Sequence, residues 1–154
     1  MKSLEWWRHL PTGEHGLPGP LRDALVDAIL AGRRTSCTGL VSDYADHRIR
    51  LPEPGDREVV VDSDDRPVAV TENLTVEVRR FADIGWAHAQ REGMGAESLE
   101  QWRERERACW ETDEVRAALR RPGFVLTDDT EMVCITFEVV AVLAGAEPGV
   151  SPAR

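Results

Sequence analysis

The chain has 154 residues, with 28 acidic against 19 basic side chains and a net charge of -9. This length predicts a single domain that buries its own core without metal or disulfide staples. The acidity argues against a broad basic surface that coats double-stranded nucleic acid, because that mode neutralises many phosphates. No run approaches the roughly 18 apolar residues that span a bilayer, and Met1 to Arg8 has no apolar stretch behind its charges, unlike a secretory signal. A cytoplasmic protein with no membrane partner is therefore expected. The three cysteines, Cys37, Cys109 and Cys134, are odd in number and lack paired short spacing. They predict reduced thiols and neither a structural metal nor a disulfide framework, and no cofactor is expected.

Residues 1–19, rich in Trp, His, Gly and Pro, read as a lead-in segment in which Trp6 and Trp7 tuck onto the core. From Pro20 to Ala31, Leu21, Leu25, Val26 and Ile29 fall on one helical stripe, with Pro20 suited to the first turn and Gly32 to the C-terminal cap. Thr35 to Val41 reads as a strand. Asp43 to Asp56 reads as a loop, closed by the turn chemistry of Pro52-Glu53-Pro54-Gly55-Asp56. Arg57 to Asp62 and Pro67 to Glu72 form a hairpin around Ser63-Asp64-Asp65-Arg66. The second run continues through a bend at Asn73 into Leu74 to Arg80, where Leu74, Val76 and Val78 alternate with Thr75, Glu77 and Arg79 as in a half-buried strand.

Phe81 to Gln90 predicts a short helix. Ser98-Leu99-Glu100-Gln101 has the form of a capping box, and Leu99, Trp102, Glu106, Cys109 and Trp110 follow at helical spacing. Glu114 to Arg121 adds a turn or two before Pro122-Gly123. Phe124 to Thr127 and Glu131 to Leu143 are the last strands, with Ile135, Phe137 and Val139 on one face and Cys134, Thr136 and Glu138 on the other. Residues 144–154 read as a disordered tail. Residues 20–143 thus predict an α+β domain on a curved or closed sheet of about five or six strands with two or three flanking helices.

Chemistry concentrates between Leu30 and Gly39, where a helix stops at Gly32 and delivers Arg33, Arg34, Thr35, Ser36, Cys37 and Thr38 onto the next strand. This stretch, Ala31-Gly32-Arg33-Arg34-Thr35-Ser36-Cys37-Thr38, resembles the signature of the ASCH domain family. The likeness extends in order through Leu51-Pro52-Glu53-Pro54-Gly55-Asp56, Asp65 to Val70, Thr75 to Val78 with Phe81, Arg91-Glu92-Gly93 before Ser98-Leu99-Glu100 and Trp102-Arg103, and Met132 to Phe137. It covers roughly residues 20–141, and collinearity over that span exceeds what one short motif carries.

The resemblance implies a PUA-like β-barrel beside a cleft that holds RNA or a nucleoside. It also implies, for small members, an amidohydrolase activity on acetylated cytidine or a ribonuclease activity. The lysine, threonine and glutamate of the amidohydrolase-like members fall on Arg34, Cys37 and Glu92. Arg34 departs from the lysine: a guanidinium stays charged and cannot act as a base, although it can grip a phosphate or polarise a carbonyl. Cys37 departs from the threonine, and beside a cation its thiol can serve as a thiolate nucleophile, with Glu92 passing the proton.

Thr35 shares the strand parity of Cys37 and is the better substitute hydroxyl, whereas Thr38 points to the other face. Arg33, Arg34 and Thr35 are candidate ligand contacts, joined in the fold by Arg48, Arg50, Arg79 and Arg80. Tyr44, in the loop after the strand, is a candidate to stack a base. The second acidic position found in larger family members is Met94. Two function classes remain: a binder of RNA or a modified nucleoside or nucleotide, and a hydrolase of an acylated nucleoside. RNA cleavage is disfavoured by the negative charge and the missing histidine pair.

Overall fold

The computed structural model describes residues 5–143; the tail expected over 144–154 lies outside them. Five strands form one sheet in the order β1-β3-β4-β5-β2. They are β1 (Thr12–Gly13), β2 (Ser36–Leu40), β3 (Arg57–Val61), β4 (Pro67–Arg80) and β5 (Glu131–Val142). β1 pairs parallel to β3, and all other neighbours are antiparallel. The helices are α1 (Pro20–Leu30), α2 (Val41–Asp46), α3 (Trp86–Arg91), α4 (Leu99–Trp110) and α5 (Asp113–Leu119). The result is a curled half-barrel of α+β type.

β4 and β5 pair along almost their whole length, with register shifts at Val70/Thr71 and at Asn73/Thr75. An extra residue on one strand bends and twists it, which curls the sheet. The bend expected at Asn73 is thus a bulge within one strand. It also exchanges the two faces of β4: Leu74 and Val78 are 47% and 48% exposed, and Thr75, Glu77 and Arg79 line an open groove on the α3 side. One added residue suffices for this because side chains alternate with period two.

Among the described residues there are five α-helices rather than two or three. The first residues of the expected 43–56 loop wind into α2, and Asp113–Leu119 is separated from α4 by a Thr112 cap whose side chain accepts from the Val115 N–H. Phe124 to Thr127 does not become a strand. Its backbone is satisfied locally, with Leu126 N–H donating to the Glu111 carboxylate and Thr127 N–H to the Thr130 hydroxyl. The Ser98 N-cap is present, its hydroxyl accepting the Gln101 N–H at 3.0 Å, but the Gln101 side chain accepts the Glu97 N–H and not that of Ser98, so the capping box is not closed.

α1 is rotated relative to the expected stripe. Leu21 is 46% exposed, and the inward face is Arg22, Leu25, Val26 and Ile29. Arg22 is buried because its guanidinium donates to the Gly16 carbonyl at 2.8 and 3.1 Å and to the Asp62 carbonyl at 3.4 Å. A buried charge is tolerated where its donors are met, and here the bonds fasten the lead-in segment and the β3–β4 turn to α1. Both sides of the sheet are covered. Val26, Ile29, Val60, Val68, Ala69 and Phe137 pack on the α1 side, and Leu40, Phe81, Ile84, Ala89, Trp102, Met132 and Cys134 on the α3–α4 side.

Candidate functional site

β2 is an edge strand, and α3 closes that edge. The Thr35 N–H donates to the Arg91 carbonyl at 2.8 Å, and the Ser36 hydroxyl donates to the His88 carbonyl at 2.8 Å. Gly93 follows α3 with φ +73°, and a Cβ there would lie 2.5 Å from the Arg33 carbonyl oxygen. Only glycine permits both that backbone and that approach. The consequence is that Glu92 sits against the edge, buried.

Ser36, Thr38 and Leu40 point toward α3 and α4, while Cys37 points to the α1 side. Glu92 Oε1 accepts from the Trp102 indole N–H at 3.0 Å, and Oε2 accepts from the Thr38 hydroxyl. His88 Nε2 lies 2.8 Å from Thr38 Oγ1 and 3.4 Å from Glu92 Oε2. Thr38 has one hydroxyl proton and gives it to Glu92, so His88 Nε2 must be the donor toward Thr38. Burial alone would raise the Glu92 carboxyl, but the bond with His88, the Arg34 charge and the bonds from Thr38 and Trp102 hold it below its ordinary value.

A second carboxyl completes the cluster. Glu106 of α4 hydrogen-bonds to Glu92 and accepts the Trp110 indole N–H at 2.9 Å. Burial, then the Glu92 charge, pushes Glu106 up to about 8. Two adjacent carboxyls cannot both ionise cheaply, so this pair keeps one proton at neutral pH.

Arg34 reaches the same corner from the other side. Its Nη1 donates to the Glu92 carbonyl at 3.1 Å, and its Nε lies 3.4 Å from His15 Nδ1. Burial and the charges of Arg34 and Arg22 push His15 down to about 3, leaving it neutral and able to accept. The His15 ring also packs 5.8 Å from Phe137. The lead-in segment therefore covers Arg34, which is 8% exposed.

Of the residues expected to work together, Arg34 and Glu92 meet, and Cys37 turns away from the Glu92 carboxylate. Tyr44, from α2, lies across Gly39, where a Cβ would be 3.5 Å from its ring. Burial pushes its phenol up to about 12. Thr35 contributes backbone bonds, and the hydroxyl in contact with Glu92 belongs to Thr38. Arg33 is exposed. Arg50, Arg79 and Arg80 do not gather around Arg34, because each is paired with nearby carboxylates: Arg50 with Asp56, Arg79 with Glu77, and Arg80 with Asp83 and Asp129.

Beside the cluster, between the β4–β5 face and α3, is an open groove of about 290 Å³. Its walls include Thr75, Glu77, Arg79, Asp83, His88, Arg91 and Thr136.

A protein-family model described as ASCH domain matches residues 16–141. The chain belongs to the ASCH domain family. Among solved structures, the ASCH domain is similar to protein EF3133 from Enterococcus faecalis V583, with a TM-score of 0.72 and 22% identity over 86% of this chain and 76% of that one. It is also similar to an ASCH domain from Lactobacillus crispatus JV V101, with a TM-score of 0.69 and 22% identity over 90% of this chain and 86% of that one. These likenesses show a shared fold. No curated protein matches the chain.

In this ASCH domain the Cys37 thiol is not poised for attack. Burial pushes Cys37 up to about 12, and although the Arg34 charge favours the thiolate, the Glu92 and Glu58 charges oppose it. Alkylation of Cys37 at neutral pH is accordingly expected to be slow, with a rate still rising above pH 10, as read by mass spectrometry of iodoacetamide-treated protein. A thiolate-like rate at pH 7 would overturn this assignment.

By sequence reasoning Thr38 is set aside in favour of Thr35, and His88, Trp102 and Glu106 are not reached as site residues. Two signals were present. Glu106 is a carboxylate on an otherwise apolar helical stripe, and His88 precedes Glu92 by four residues, one helical turn.

Proposed function

We propose that this ASCH domain binds RNA or a modified nucleoside or nucleotide and does not turn it over. The observation that carries this reading is the open groove of about 290 Å³ whose wall includes His88 and Arg91. Its volume lies at the lower end of small-ligand pockets, enough for one nucleoside unit. Arg34 and Cys37 support the absence of catalysis: the guanidinium cannot take a proton, and the thiol stays protonated.

The test is titration with a short single-stranded RNA, cytidine and N4-acetylcytidine, together with an assay for acetate release. Binding without release is the expected result. Absence of binding to all three ligands would overturn the reading, and turnover by the natural chain would establish an enzyme.

One observation favours a hydrolase as the second reading. Thr38, His88 and Glu92 join a hydroxyl, an imidazole and a carboxylate in hydrogen-bonded contact. In such an enzyme, acting on an acylated cytidine-type amide, these three groups rather than Cys37 would move the proton. Persistence of release after Cys37→Ser, with its loss in Thr38→Val, would mark that case.

A further inference from the structure

The charges along the groove are unequal in one respect. Arg79 is tied to Glu77, with its Nε donating at 2.7 Å, and Asp83 is tied to Arg80 at 3.0 Å. These pairs are internally neutralised. Arg91, also on the groove wall, is exposed and has no side-chain hydrogen bond or ion pair among the described residues. It is a free guanidinium in a chain of net charge -9, where carboxylates are plentiful and most other arginines have found one.

His88, on the same helix and wall, spends Nε2 on Thr38 and Glu92. Its second ring nitrogen, Nδ1, has no partner among the described residues. Thr75 and Thr136, whose hydroxyls bond each other, add two further polar groups to the lining. An unpaired planar guanidinium suits a tetrahedral oxyanion, which accepts two parallel N–H bonds from one arginine.

We propose that the groove recognises a phosphate group, so that its ligand is a nucleotide or an RNA strand rather than a free nucleoside, with Arg91 as the ion-pairing residue. This rests on the groove being the ligand site. The phosphate belongs either to a monoester or to the diester of an RNA backbone, and the two are distinguished by direct comparison.

Cytidine, cytidine monophosphate and the dinucleoside monophosphate of cytidine are titrated at low salt, with inorganic phosphate as competitor. At least one phosphorylated ligand is expected to bind about tenfold more tightly than cytidine, with a preference that weakens as salt rises. Arg91→Gln is expected to abolish that preference while leaving the melting temperature unchanged, since the side chain is exposed. Arg105→Gln, an exposed arginine outside the groove, is expected to keep it. Preference for the monophosphate assigns a mononucleotide, and preference for the dinucleotide assigns an RNA backbone. Equal affinity for cytidine and both phosphorylated ligands, or a preference that survives Arg91→Gln, would overturn the phosphate assignment while the nucleoside-binding reading stands. Failure of all three ligands to bind would overturn both.

Discussion

Glu92→Ala is expected to destabilise the domain by about 3 kcal/mol, the cost typical of removing one partner from a buried charged cluster. The carboxylate joins three elements: Thr38 on β2, His88 on its own helix α3, and Trp102 and Glu106 on α4. Its removal leaves the Trp102 N–H and the Thr38 hydroxyl without their acceptor, and leaves Arg34 facing only neutral groups, the carbonyl of residue 92 and His15 Nδ1. Glu92→Gln keeps the shape and lets the amide donate to Thr38, which then donates to His88 in its other tautomer. It is expected to cost only about 1 kcal/mol. Denaturant unfolding at pH 7 measures both. A cost below about 1 kcal/mol for the alanine variant would show that the cluster does not hold α3 and α4 to the sheet.

Stability is expected to fall as pH rises from about 6.5 to 8, and Glu106→Gln is expected to remove that fall. Glu106 is raised from 4.5 to about 8, first by burial and then by the Glu92 charge. Between those values the folded state holds a proton that the unfolded state has released. Its contribution is complete below pH 4.5 and is lost as pH climbs through 8, at roughly 1 kcal/mol per pH unit.

His15 acts in the opposite sense. It is lowered from 6.5 to about 3 by burial and by Arg34 and Arg22, so the unfolded state binds the extra proton and stability rises from pH 3 to 6.5. The two offset each other between about 4.5 and 6.5, which leaves a plateau there. Above 6.5 only the Glu106 fall remains, and below 4.5 the lowered Glu92 adds its own loss to that of His15. Melting temperatures at half-unit pH steps measure the profile. A flat curve from 6.5 to 8 in the natural chain, or an unchanged slope in the Gln variant, would refute the assignment.

Much of the fold is legible in local pattern. The Pro20 start and Gly32 stop of α1, the Ser98 cap of α4, the β3–β4 hairpin and the face division of β5 all follow from short-range rules, and each is present. The failures share one cause. The rotation of α1 comes from Arg22 finding carbonyl partners in Gly16 and Asp62. The exchange of faces in β4 comes from a bulge defined only by its pairing with β5.

The site divides in the same way. The sequence by itself determined that the Arg34 position cannot supply a base, because guanidinium chemistry does not depend on the fold. It also determined that Cys37 and Thr38 face opposite sides of a strand, because that alternation is intrinsic to extended backbone. Only the tertiary structure decided which side Glu92 would serve. That choice was made by α3 closing the edge of β2, with Gly93 admitting the turn, so that Thr38 and His88 received the carboxylate and Cys37 was left in an apolar surround. It likewise decided that Glu106, on the stripe of α4, would meet Glu92 and share its proton, since two carboxyls apart in sequence couple only when packing brings them into one dry corner.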